Sequence, residues 1–196
     1  MNRRLRGRPY DGPMPEMPEM LRAADVIAAA RAAEAALRPV VGRDWSVRAG
    51  PLEWSVEQTI THMIAATAKY TLYLASQCEH FIGLSISRWP DATNQEVIDS
   101  LVPVATGLAN VAAASPPDAR AYHVTGSSTA ADYVGRACVE ILVHTDDALT
   151  GLGVAIAPPS DLCRRVLAQQ FPPAAVAREH ADPWPALLAA AGRPPH

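Results

Sequence analysis

Two capping boxes constrain the fold of this chain before its composition is considered. Ser55-Val56-Glu57-Gln58 and Thr93-Asn94-Gln95-Glu96 each pair a cap hydroxyl with a side chain three residues on that can reach back to the cap N–H. A long run with apolar residues at helical spacing follows each box. Behind Ser55, residues Ile60, Met63, Thr67, Thr71, Leu74, Cys78 and Phe81 make a seam that predicts a helix to about Phe81. Trp54, just before the cap, is placed as its hydrophobic staple. Behind Thr93, residues Val97, Ile98, Leu101, Val104, Leu108 and Val111 predict a helix to about Ala114, kinked at Pro103.

Two further segments follow the same period. Met20 to about Arg38 is rich in alanine, the best helix former, with a stripe through Leu21, Ala24, Ile27, Ala28 and Ala35, and it stops before Pro39 and Gly42. Thr129 to Thr150 predicts a fourth long helix, terminated by Gly151 and Gly153, and Ser160 caps a short one through Gln170. No run alternates convincingly enough to build a sheet, so the expected class is all-α, a bundle of four long helices with a helical tail.

At 196 residues and 49% apolar content, the chain can bury one core and little more. The expected organisation is an arm at 1–19, where prolines interrupt the MPEMPEM repeat, a bundle at 20–155, and a helical extension at 156–196 packed on it. A net charge of −3 and a pI near 6.0 argue against a nucleic-acid partner, and Lys69 is the only lysine. Cys78, Cys138 and Cys163 are scattered, without metal-site spacing, which points to free thiols in a reducing cytoplasm. The basic start MNRRLRGRPYDGP lacks the apolar stretch of a signal peptide, and no uninterrupted apolar run is long enough for a membrane span. A homodimer through helix faces is compatible with this pattern.

The chemistry concentrates in ACVEILVHTDDALTGLG. Glu140 and His144, at i and i+4, project from one side of a helix and can reach one ion. His62, two turns into its own helix and near an end where a pocket can open, is the natural third ligand. His80 shares the face of His62 but sits roughly 27 Å away along a helix, too far to bind the same ion. Two imidazoles and a carboxylate would leave a divalent ion one open position. The competing reading is a solvent-facing Glu140/His144 pair worth a few tenths of a kcal/mol. Asp147, on the same stripe, can orient a ligand or accept a proton. Arg136, one turn before Glu140, can hold an anionic substrate or pair with Glu140. His123, in the long loop SPPDARAYHVTGSS, is a candidate general acid or base. Tyr70, Tyr73 and Tyr133 read as core residues with tethered hydroxyls, and Cys138 as a small apolar residue pointing away from the ligands.

Four segments carry a family resemblance. WSVEQTITHMIAATAKY and VEILVHTDD resemble the histidine segment and the ligand-bearing helix of the mycothiol-dependent maleylpyruvate isomerase N-terminal domain, within the DinB-like superfamily. RAYHVTG and DPWPALLAAAGR are similar to a loop and to the C-terminal ending of that group, so the likeness runs from about Met20 to Arg193. It implies a DinB-like four-helix bundle with zinc, or another divalent ion, on His62, Glu140 and His144. That family's maleylpyruvate isomerase carries a separate C-terminal domain, whereas only a short helical tail follows the bundle here.

The function expected from residues and resemblance together is a metal-dependent, thiol-using transferase or isomerase. A low-molecular-weight thiol such as mycothiol would attack a small electrophile, with Asp147 or His123 managing the proton and Arg136 available to the substrate. Metal Lewis-acid chemistry without a thiol and a non-catalytic metal-braced bundle are the alternatives. The absence of a HExxH motif argues against peptide hydrolysis.

Overall fold

The computed structural model describes residues 20–171 and 182–193. The expected arm at 1–19 and two parts of the expected helical extension, 172–181 and 194–196, lie outside them. The described chain is mostly helical: α1 (Ala23–Leu37), α2 (Val56–Ser76), α3 (Asn94–Asp99), α4 (Leu101–Ala114), α5 (Ala130–Gly151), α6 (Ser160–Gln170) and α7 (Pro183–Ala190). A two-stranded hairpin, β1 (Ala121–His123) and β2 (Gly126–Ser128), lies between α4 and α5.

The local code explains the starts. Ser55 Oγ accepts from Gln58 N at 3.1 Å while Gln58 Oε1 accepts from Ser55 N at 2.9 Å, and Thr93 with Glu96 repeats the exchange. Thr129 and Asp132 cap α5 in the same way. The long helices then bury their apolar faces on one another: α1 and α2 each lie against both α4 and α5, around Val26, Leu37, Ile60, Met63, Leu101, Leu108, Ile141 and Leu142. The tail helices pack together, and α6 lies on α5 and α1. Gly135 on α5 leaves the space that the Gln170 side chain of α6 occupies, since a Cβ there would sit 2.1 Å from its Nε2.

Three expectations about the helices change. The second helix stops at Ser76 rather than Phe81, because Gln77 adopts a left-handed conformation (φ 47°) and the Cys78 carbonyl accepts from Tyr122 N of β1 at 2.7 Å. Cys78, His80 and Phe81 therefore lie beyond the helix. The third helix breaks at Ser100 instead of kinking at Pro103. A proline clashes with the carbonyl four residues back, here that of Asp99, and is tolerated in a first turn where its missing N–H is not needed. The α1 stripe is rotated: Val26, Ala29, Ala30, Ala33 and Leu37 are buried, whereas Ala24 and Ala35 are exposed. An alanine-rich helix marks its phase weakly, and contact with α4 on one side and α5 on another decides it.

The long loop before α5 contains the hairpin, paired Ala121↔Ser128, Tyr122↔Ser127 and His123↔Gly126. So short a hairpin is marginal alone. It is tied to the segment just after α2 by the Cys78 carbonyl and to α5 by the Tyr133 hydroxyl, which donates to the Tyr122 carbonyl. Although no uninterrupted apolar run of membrane length was expected, the stretch 94–114 is long and apolar enough to cross a membrane by length and composition. Here it is interrupted at Ser100, and Leu101, Ala105, Leu108 and Ala109 belong to the core.

Candidate metal centre

Helices α2 and α5 bring His62, Glu140 and His144 together, with one ligand atom from each lying within 4.8 Å of the others. Glu140 Oε2 stands 3.2 Å from His144 Nε2 and 3.5 Å from His62 Nε2. Nitrogen and oxygen ligands about 2.0–2.1 Å from a tetrahedral ion lie about 3.3 Å from one another, so the spacing suits a divalent cation.

The donor chemistry points the same way. Asp147, only 1% exposed, is gripped by Arg193, whose Nε and Nη2 donate to Oδ1 and Oδ2 at 2.7 Å each. That guanidinium keeps Asp147 ionised: burial would raise its carboxyl, but Arg193 and His144 hold it below the usual range. Asp147 Oδ2 in turn lies 3.0 Å from His144 Nδ1, so Nδ1 donates and the Nε2 lone pair of a neutral ring faces Glu140. Glu140 Oε2 is buried and accepts no hydrogen bond. Two acceptors facing each other in a buried place repel unless a cation stands between them.

Without an ion, a proton must fill that role. Burial opposes charge on His144, but the Asp147 and Glu140 carboxylates outweigh it and lift the imidazole to about 9. Burial also opposes charge on Glu140, and the two imidazoles overcome it, holding the carboxyl well below its ordinary value. The other oxygen, Oε1, accepts from the Tyr70 hydroxyl at 3.3 Å. Burial first, and then the Glu140 charge, push that phenol above its ordinary range, so it stays a donor.

The surroundings differ by side. Trp54 covers His62, with ring centroids 4.8 Å apart, and reaches toward His144 at 6.3 Å. A cleft of about 440 Å³ runs from Trp54 and His62 to Ile86 and Arg88. On the Glu140 side lie a recess of about 310 Å³ beside His144 and Arg193 and another of about 210 Å³ beside Tyr70, His123 and Arg136.

Of the expected site residues, His62, Glu140 and His144 form the cluster, His123 and Arg136 line the recess beside Glu140, and Asp147 is buried behind His144. Arg136 does not pair with Glu140 but donates from Nη2 to Thr125 Oγ1 at 3.1 Å. His80, away from the cluster, contacts Cys78 Sγ through Nδ1 at 3.6 Å. Sequence reasoning missed the site roles of Trp54, Tyr70 and Arg193. Only the Gly-Arg ending hinted at Arg193, and nothing local marked the other two. No protein-family model, curated protein or solved structure matches this chain.

Proposed function

We propose that the chain is a divalent-metal-dependent enzyme with a DinB-like four-helix bundle and a helical C-terminal extension. It uses a low-molecular-weight thiol of the mycothiol type in a transferase or isomerase reaction on a small electrophile. The observation that carries the reading is the buried, unpartnered Glu140 Oε2 facing two imidazole nitrogens beneath open clefts. Zinc bound there would hold an incoming thiol as its thiolate near neutral pH.

The chain's own residues do the remaining work. Asp147 and Arg193 fix the His144 ring and its tautomer, and Tyr70 fixes the Glu140 carboxylate. With both oxygens engaged, Asp147 is an orienting group, which leaves proton handling to His123. There Nδ1 accepts from Thr125 N at 3.2 Å, so a neutral ring keeps its proton on Nε2 and can donate to charge developing on the electrophile. Trp54 packs against one side of the half-exposed His62 ring.

An external thiol is favoured because the protein's own are unsuitable. Cys138 and Cys163 are buried, which pushes both thiols up, Cys163 to about 12. Cys78 lies beyond the end of α2, whose last residue, Ser76, is roughly 21 Å along the helix from His62. The test is elemental analysis of the purified chain with turnover of electrophile-plus-thiol pairs. The expected result is about one zinc per chain and a thiol-dependent activity that His144→Ala lowers at least 100-fold while the helical circular dichroism survives. A metal-free chain that zinc does not bind would end this reading, and turnover without any thiol would replace it with Lewis-acid chemistry.

A further inference from the structure

Next to the ligand cluster, α5 carries a cation without an anion. The half-buried Arg136 donates once, to the neutral Thr125 hydroxyl, while its Nε is buried and has no acceptor. Among the described residues no carboxylate lies within ion-pair reach of its guanidinium. A guanidinium partly removed from water ordinarily finds a carboxylate or phosphate, and its planar fork suits both.

The surroundings are arranged for such a partner. The recess beside Arg136 has a volume of about 210 Å³ and is walled by Tyr70, His123, Val139, Glu140 and Phe171. That is smaller than a site for a whole ligand and suits one end group. Among the described residues the only carboxylate in its wall is engaged elsewhere: Glu140 Oε1 accepts from the Tyr70 hydroxyl and Oε2 faces the two imidazoles. A second donor lines the same recess. Thr125 N donates to His123 Nδ1 at 3.2 Å, and the Thr125 hydroxyl, accepting from Arg136, lies 2.9 Å from the same nitrogen. One threonine thereby ties both side chains and leaves the His123 proton on Nε2, which has no partner among the described residues.

From this geometry we infer that the recess is a subsite for an oxyanion, a carboxylate or phosphate group of the substrate, held between the Arg136 guanidinium and His123 Nε2–H. That the anion belongs to a substrate rests on the proposed function; that the recess binds an oxyanion does not. Glu140 lies in both the recess and the ligand cluster, so an electrophile anchored here would present its reactive carbon towards the open side of the ion site.

The experiment is calorimetric titration of acetate and, separately, inorganic phosphate into the full chain, zinc-loaded and metal-free. Wild type is compared with Arg136→Gln, Arg136→Lys and His123→Ala. The expected result is saturable binding of at least one anion in both metal states, the stronger one naming the group. Arg136→Gln should weaken it ten-fold or more and the other two variants several-fold, with zinc content unchanged. Equal affinity in wild type and variants, or no binding to wild type, overturns the subsite. Should Arg136→Gln fail to fold, the lysine and His123 variants decide by the same criterion. A wild type that takes no zinc yet binds anions through Arg136 would sink the metal reading and keep this one.

Discussion

At the scale of single residues, the centre depends on groups that touch the ligand side chains. Tyr70 does so through Glu140 Oε1, leaving Oε2 towards the imidazoles. Tyr70→Phe should weaken zinc binding about ten-fold in a competition assay with a chromophoric chelator, with little change in fold. Unchanged affinity would make the hydroxyl a bystander. The metal-free protein also has a defined pH response. His144 is raised from 6.5 to about 9, so its contribution to stability is complete below about 6.5 and lost as the pH rises through about 9. Denaturation midpoints of the chelated protein should therefore fall between pH 7 and 10, and zinc should remove most of that slope. The Glu140/His144 pair was legible in the sequence because helical spacing is a local property. Tyr70 was not, because its seventy-residue separation from Glu140 closes only when α2 lies against α5.

At the scale of elements, close backbone approach sets the geometry. Gly151, expected as a helix terminator, is the last residue of α5, and a Cβ there would lie 2.1 Å from the Arg48 carbonyl oxygen. The connector runs against α5 at that point and presents Trp54 over His62. Because the clash is with backbone, Gly151→Ala should cost about 1–3 kcal/mol in chemical denaturation. Stability within error of wild type would show that the connector yields freely. At the other end of the chain, Gly192 (φ 76°) turns the backbone after α7, Arg193 N donates to the Leu188 carbonyl at 2.8 Å, and the Arg193 side chain reaches Asp147. The capping boxes made helix starts readable, whereas ends depended on distant partners. Helix α2 stops where β1 takes the Cys78 carbonyl, and no residue between Ser76 and Phe81 announced that contact.

At the scale of the whole molecule, the cluster joins α2 to α5 and, through Asp147 and Arg193, joins α5 to the C-terminal segment. An ion bound only by the native state stabilises all of these together. Zinc at about 1,000 times its Kd should add ~4 kcal/mol, read as a rise in thermal midpoint that chelation reverses. Arg193→Ala should cut zinc affinity by about 10- to 100-fold, because it frees the carboxylate that orients His144, and also lower stability by about 3–5 kcal/mol. The helical class, the capped starts of α2, α3 and α5 and the shared face of Glu140 and His144 were determined by the sequence alone, since caps and periodicity act over a few residues. The phase of α1, the break at Ser100, the hairpin and the aromatic and basic residues around the centre were decided only by tertiary packing. Those features depend on which surfaces meet across the chain, and a local pattern carries no record of its distant partner.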